Sequence, residues 1–146
     1  MPDKETLERA EEDKQEGKSP STQAGEFVRE EIEHIREGKH GARSAKQAIA
    51  IGLSKARRAG VKLPAPKVAS QETKEQAARD ARKGRSTRKA KASAKRSRAA
   101  SKALKREGRS AASKLALSRH ARSAAAKRSA ASRSRSAKKA AATRKK

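Results

Sequence analysis

Lysine and arginine are the residues of this chain most able to do chemistry, and the chemistry is charge neutralisation. Of 146 residues, 41 are Lys or Arg and 16 are Asp or Glu, a net charge of +25. From Gln71 to Lys146 there are 27 basic and 4 acidic residues, a balance of +23. No acidic residue follows Glu107. The cations that point to a polyanion are Arg82, Lys83, Arg85, Arg88, Lys89, Lys91, Lys95, Arg96, Arg98, Lys102, Lys105, Arg106, Arg109, Lys114, Arg119, Arg122, Lys127, Arg128, Arg133, Arg135, Lys138, Lys139, Arg144, Lys145 and Lys146. Each such group that meets a phosphate releases a condensed counterion, so the expected partner is nucleic acid. The only aromatic residue is Phe27, on an apolar stripe. Single-strand and RNA modules stack bases on aromatic rings, so duplex DNA is favoured over RNA. The run Ser132-Arg133-Ser134-Arg135-Ser136 is the one RNA-like segment, and it is short.

A second constellation is the loop Gly38-Lys39-His40-Gly41-Ala42-Arg43-Ser44. It delivers Lys39, His40 and Arg43 to the start of a helix capped by Ser44, where free N–H groups favour an anion. It reads as a candidate phosphate loop, or as a plain glycine turn between two helices. It lacks the GxxxxGK[ST] spacing of a nucleotide-binding loop. His34, His40 and His120 are scattered without ligand-like spacing, and Glu30 and Glu31 are adjacent on a helix rather than convergent. His34 reads as solvated on a charged face. No nucleophile, base and orienting group can be assembled, so the expectation is no enzyme, no cofactor and no metal. Cysteine is absent, which excludes disulfides and thiolate metal sites.

The elements that position these residues are helical; no strand signal occurs. Residues 1–21 form an acidic segment, expected to fray or stay disordered because only Leu7 and Ala10 are apolar between Asp3 and Glu16. Residues 22–61 read as an αα-hairpin. Ala24, Phe27, Val28, Ile32 and Ile35 make one helical stripe, and Ala45, Ala48, Ile49, Gly52, Leu53 and Ala56 make another. Ser44 and Gln47 have the capping-box spacing. Gly52 in mid-stripe predicts close approach of the partner helix, and Gly60 a C-terminal cap. The hairpin also admits a helix-turn-helix reading, with Lys46, Lys55, Arg57 and Arg58 on the outer side of its second helix, but no third packing helix is evident. Ile51 lies off the stripe, which suggests a protein partner or self-association through the hairpin. Residues 62–69, with Pro64 and Pro66, form a linker. Residues 70–146 form a basic low-complexity tail, with a candidate helix over 70–83. Its only large apolar residues are Leu104, Leu115 and Leu117. These are too few to offset the ordering entropy, so the tail is expected to be largely disordered. The expected fold class is therefore all-α: a small αα-hairpin with a long, largely disordered basic C-terminal tail.

The stretch from Gly25-Glu26-Phe27-Val28-Arg29 through Gly38-Lys39-His40-Gly41 and Ser44-Ala45-Lys46-Gln47-Ala48-Ile49-Ala50-Ile51-Gly52-Leu53-Ser54 resembles a family of small basic bacterial proteins of unknown function. Its hallmark is a glycine-basic loop running into a SxKQAIAIxLS helix, and members are sometimes labelled plasmid-stabilisation or DNA-binding proteins. The tail separately resembles the Lys/Ala-rich C-terminal tails of linker histones. Both likenesses imply a DNA-associated role. The expected function is non-sequence-specific binding of nucleic acid, in the manner of a nucleoid-associated, histone-like protein. The alternative is an adaptor whose hairpin docks a protein while the tail tethers it to DNA, RNA or ribosome. No apolar run is long enough to span a bilayer and the N-terminus has no apolar signal region, so the expected location is cytoplasmic, at the nucleoid, with no membrane insertion.

Overall fold

A computed structural model describes residues 1–86 and 93–144. These residues form seven α-helices: α1 Lys4–Gln15, α2 Pro20–Arg36, α3 Ala45–Arg58, α4 Gln71–Arg85, α5 Ala94–Arg106, α6 Lys114–Ala126 and α7 Ala130–Arg144. A 3-10 turn, Ser110–Ala112, precedes α6. No strand occurs among the described residues.

The fold corrects the expectation of a hairpin with a largely disordered tail. Most of the described residues between 70 and 144 are helical, and some of them are packed. Local signals explain the helices. Ser70, Ser93 and Ser113 are N-caps, their hydroxyls accepting from the backbone N–H of Thr73, Arg96 and Ala116, and Ser129 Oγ accepts likewise from Ser132 N. Such a cap contributes about 1 kcal/mol, and alanine, lysine and arginine are strong helix formers. The docking of the tail relies on small residues. Ala77, Ala111 and Ala112 are buried, whereas Leu115 stays 60% exposed.

The centre of the fold is the α2–α3 pair, which buries the two apolar stripes. Phe27 and Ile35 on α2 are fully enclosed, as are Ala48 and Ala56 on α3. Burying side chains as large as Phe27 and Ile35 contributes roughly 1.5–3 kcal/mol each. The helices meet at Gly52, where an added Cβ would lie 2.7 Å from Val28 Cα and 3.0 Å from Phe27 O. That close approach offsets the poor helix propensity of glycine. Around the pair lie two small cores. One joins α1, α2 and α3 through Ala10, Ala24, Phe27 and Ala56, with Leu53, Val61 and Leu63 against it. The other joins Ile35, Ala42 and Ala48 to Ala111 and Ala112.

The N-terminal segment, expected to fray, forms α1 and packs along α2 with Thr6 and Ala10 buried. Helix α4 packs on α3 through Asp80, which has no exposed surface. Its carboxylate accepts from Arg58 Nε at 2.7 Å, Ser54 Oγ at 2.8 Å and Gln76 Nε2 at 3.2 Å. The intervening linker is tied down by buried Arg57, which donates to the Leu63 and Pro64 carbonyls. Ile51 is half-buried.

Two outcomes test this packing. Gly52→Ala should destabilise the protein by about 1–2 kcal/mol in urea unfolding, because overpacking at Val28 exceeds the gain in helix propensity. An unchanged midpoint would show that α2 and α3 are not so close. Burial alone would raise the Asp80 pKa, but Arg58, Ser54 and Gln76 hold it below the usual carboxylate value. Its contribution is therefore complete above the unfolded value near 4 and is lost as pH falls through the folded one. The melting temperature should drop between about pH 5 and pH 3, and Asp80→Asn should flatten that drop while lowering stability at neutral pH.

Candidate nucleic-acid interface and a buried carboxylate–histidine cluster

The sequence-predicted cations fall on four helices and their junctions. Arg82, Lys83 and Arg85 end α4. Lys95, Arg96, Arg98, Lys102, Lys105 and Arg106 belong to α5, and Arg109 leads into the 3-10 turn. Lys114, Arg119 and Arg122 are on α6; Lys127 and Arg128 follow it; Arg133, Arg135, Lys138, Lys139 and Arg144 are on α7. All twenty are exposed. Among the described residues none of them lies within ion-pair distance of a carboxylate. Arg88, Lys89, Lys91, Lys145 and Lys146 lie outside the described residues.

On α5 the spacing of Lys95, Arg98, Lys102 and Lys105 gathers four cations on one face. Neither α5 nor α7 has a fully buried residue, so their surfaces are open. Near the start of α6 an open recess is lined by Arg36, Arg109 and Lys114, with Ala112 and Ser113 between them. Arg36 Nε donates to the Ala112 carbonyl at 3.0 Å, which fixes this corner to α2.

The Gly38–Ser44 loop is built differently from a free phosphate clamp. Its start closes α2: Gly38 has φ +80°, Gly38 N donates to Ile35 O and Lys39 N to His34 O. That left-handed turn, which glycine adopts without strain, sends the chain back across α2. Residues 104–108 then lie over it. Gly41 N donates to Leu104 O at 2.9 Å and Ala42 N to Gly108 O at 3.1 Å. A side chain at Gly41 would overlap the Glu107 carbonyl. Lys39 pairs with Glu37 at 3.0 Å, and Arg43 with Glu107 at 3.6 Å. Ser44 Oγ accepts from Gln47 N, and Gln47 Oε1 from Arg43 N. His40 turns inward to Glu31.

The helix-turn-helix reading of α3 also needs correction. Of its proposed outward cations, Lys46 is exposed, but Arg57 is buried and Arg58 is bonded to Asp80. Lys55 points to α2, with Nζ 3.0 Å from Glu30 Oε1 and 2.7 Å from Glu31 Oε2.

That contact belongs to a cluster that sequence reasoning missed. Glu30 and Glu31, read as divergent, both reach Lys55, and both are buried. His34, read as solvated, has a side chain only 13% exposed and lies 3.1 Å from Asp3 Oδ2. His40 Nε2 lies 3.2 Å from Glu31 Oε1. The two rings stand edge to face with centroids 6.3 Å apart. Burial opposes the charge on Lys55, but Glu31 and Glu30 outweigh it and raise its pKa. Burial likewise works against the Glu30 charge, yet Lys55, the Asp3 N–H and Thr6 hold its pKa down. The available signal was Glu31 and His34 at i and i+3, on one helix face. His40 has no such signal; the glycine turn brings it.

A family of unknown function (DUF6496) matches residues 14–67, which span α2, the glycine loop and α3. The match contains Glu30, Glu31, His34, His40 and Lys55 and ends before α4. No curated protein and no solved structure matches the chain.

Lys55→Gln would leave two buried carboxylates without their cation. It should cost about 3 kcal/mol or more in denaturant unfolding at neutral pH, in the range for breaking a buried pair. A loss below about 0.5 kcal/mol would place this contact among weak surface pairs.

Proposed function

We propose that this protein binds duplex nucleic acid, DNA in preference to RNA, through the cationic surfaces of α5, α6 and α7 and without sequence specificity. The observation that carries the reading is the set of twenty exposed cations without an acidic partner among the described residues. In the first half, many basic residues are matched: Arg9 with Glu5 and Glu26, Lys18 with Asp13, Lys55 with Glu30 and Glu31. Glu107, the last acidic residue, faces Arg43. The C-terminal charge is thus left for solvent and for a polyanion.

Helices suit this role. A helix of 13 residues is about 20 Å long, and it holds its cations at fixed spacing along one face. Phosphate contacts position such a surface without reading bases. The tail supplies no Phe, Tyr or Trp ring for stacking, which favours duplex over single strands. The recess of Arg36, Arg109 and Lys114 adds a concave point for one phosphate. No described helix is long and apolar enough to cross a membrane.

Salt-titrated binding of the full chain to duplex DNA, single-stranded DNA and duplex RNA tests the proposal. With roughly 8–12 phosphates neutralised, log K against log salt should fall with a slope of about −7 to −11. Replacing Lys95, Arg98, Lys102 and Lys105 together by Gln should reduce that slope by about 3–4, with circular dichroism unchanged. A slope near −2 in the wild type, or a preference above about a hundredfold for one DNA sequence, would reject the proposal.

A further inference from the structure

The two imidazoles of the buried cluster stand against carboxylates. His40 Nδ1 lies 3.1 Å from the Gly41 carbonyl oxygen. A carbonyl can only accept, so this contact is a hydrogen bond in the tautomer with the ring proton on Nδ1. The lone pair on Nε2 then faces Glu31 Oε1 at 3.2 Å. Two acceptors at that separation repel unless a cation lies between them. His34 Nε2 is 3.1 Å from Asp3 Oδ2, a hydrogen bond that a neutral ring can donate, and its Nδ1 is 3.9 Å from Glu30 Oε1.

Of the carboxylates, Asp3 is exposed with Lys39 acting on it, whereas Glu30 and Glu31 are buried and share the single cation of Lys55. The side chain of Glu31 is 1% exposed; Lys55 Nζ lies 2.7 Å from its Oε2, and His40 Nε2 is the group within reach of its Oε1. Oε1 of this buried carboxylate therefore needs a proton or a metal ion on the histidine side.

We propose that Glu31, His34 and His40 form a binding site for a divalent first-row transition-metal ion of the zinc class, with Glu30 and Asp3 as the surrounding carboxylates. Two imidazoles and a carboxylate are a donor set suited to such an ion. Metal–ligand bonds of about 2.0–2.2 Å put neighbouring ligand atoms on a tetrahedral ion about 3.3 Å apart. The Glu31–His40 separation of 3.2 Å already fits that edge. Ligand atoms of all three residues lie within 4.8 Å of one another, so side-chain rotation of roughly 1.5 Å closes the set. The Nδ1–H to carbonyl bond of His40 is the arrangement that fixes a ring with Nε2 toward a metal. A divalent ion also supplies positive charge to the two buried carboxylates, of which Lys55 offsets one. A protonated imidazole would supply positive charge too, and the experiment separates these states.

The test titrates the full chain with ZnCl2 by calorimetry in a chelator-free buffer, and with CoCl2 by visible absorption. One ion per chain should bind, and the cobalt complex should show the intense bands of a four-coordinate, imidazole-ligated ion. His34→Ala and His40→Ala should each weaken zinc binding at least about tenfold, while His120→Ala should not. Zinc should raise the melting temperature of the wild type but not of His40→Ala. Absence of binding at millimolar zinc, or equal binding by the wild type and both cluster variants, would overturn the proposal. So would imidazole nitrogen spectra showing both rings doubly protonated with zinc present. Should the alanine variants fail to fold, the wild-type cobalt spectrum decides: the weak bands of fully hydrated, six-coordinate cobalt would reject the site.

Discussion

Backbones approach closely in this protein because its side chains are too small to fill a wider gap. Large apolar residues are few, and most buried apolar positions are alanine. A core of that kind gains its dispersion energy only when helices nearly touch. Gly52 lets α3 reach the backbone of α2, and Gly41 lets the chain after α5 lie on the glycine loop. The same economy explains how Ala111 and Ala112 dock a segment that has so little hydrophobic bulk.

Small cores leave room for polar contacts to specify the packing. Asp80 joins α4 to Ser54 and Arg58 of α3. Arg57 holds the proline linker, and Arg36 holds the 3-10 turn. Glu30 and Glu31 join α2 to Lys55 of α3. Each of these groups is costly to bury alone and acceptable with its partner, so each discriminates against other arrangements of the helices. The histidine cluster brings ligand atoms of Glu31, His34 and His40 within 4.8 Å of one another, and that convergence is what the metal proposal uses.

Charge is divided along the chain. Half of the 14 cations before Gln71 pair with acids of the same segment; the last helices carry cations that face solvent. The proposed nucleic-acid surface and the proposed metal site therefore occupy different parts of the fold. The segment matching the family of unknown function holds the three proposed metal ligands, and the cationic helices lie beyond it.

The sequence by itself determined the helical stripes of α2 and α3, the Ser44 cap, the tight approach at Gly52 and the uneven charge. These depend on periodicity, local capping and composition, which need no knowledge of distant residues. It did not reveal the order in the C-terminal half. Serine caps and alanine-rich propensity outweighed the charge repulsion there, and docking relied on small residues that carry no hydrophobic signal. Nor did it reveal the fates of Arg57, Arg58, Lys55 and His34, which looked solvent-facing on an isolated hairpin. The tertiary structure decided those, because α1, α4 and the turned loop cover faces that a hairpin would expose. His40 meets Glu31 only because a left-handed turn at Gly38 folds the chain back, a contact set by three-dimensional closure rather than by spacing along the chain.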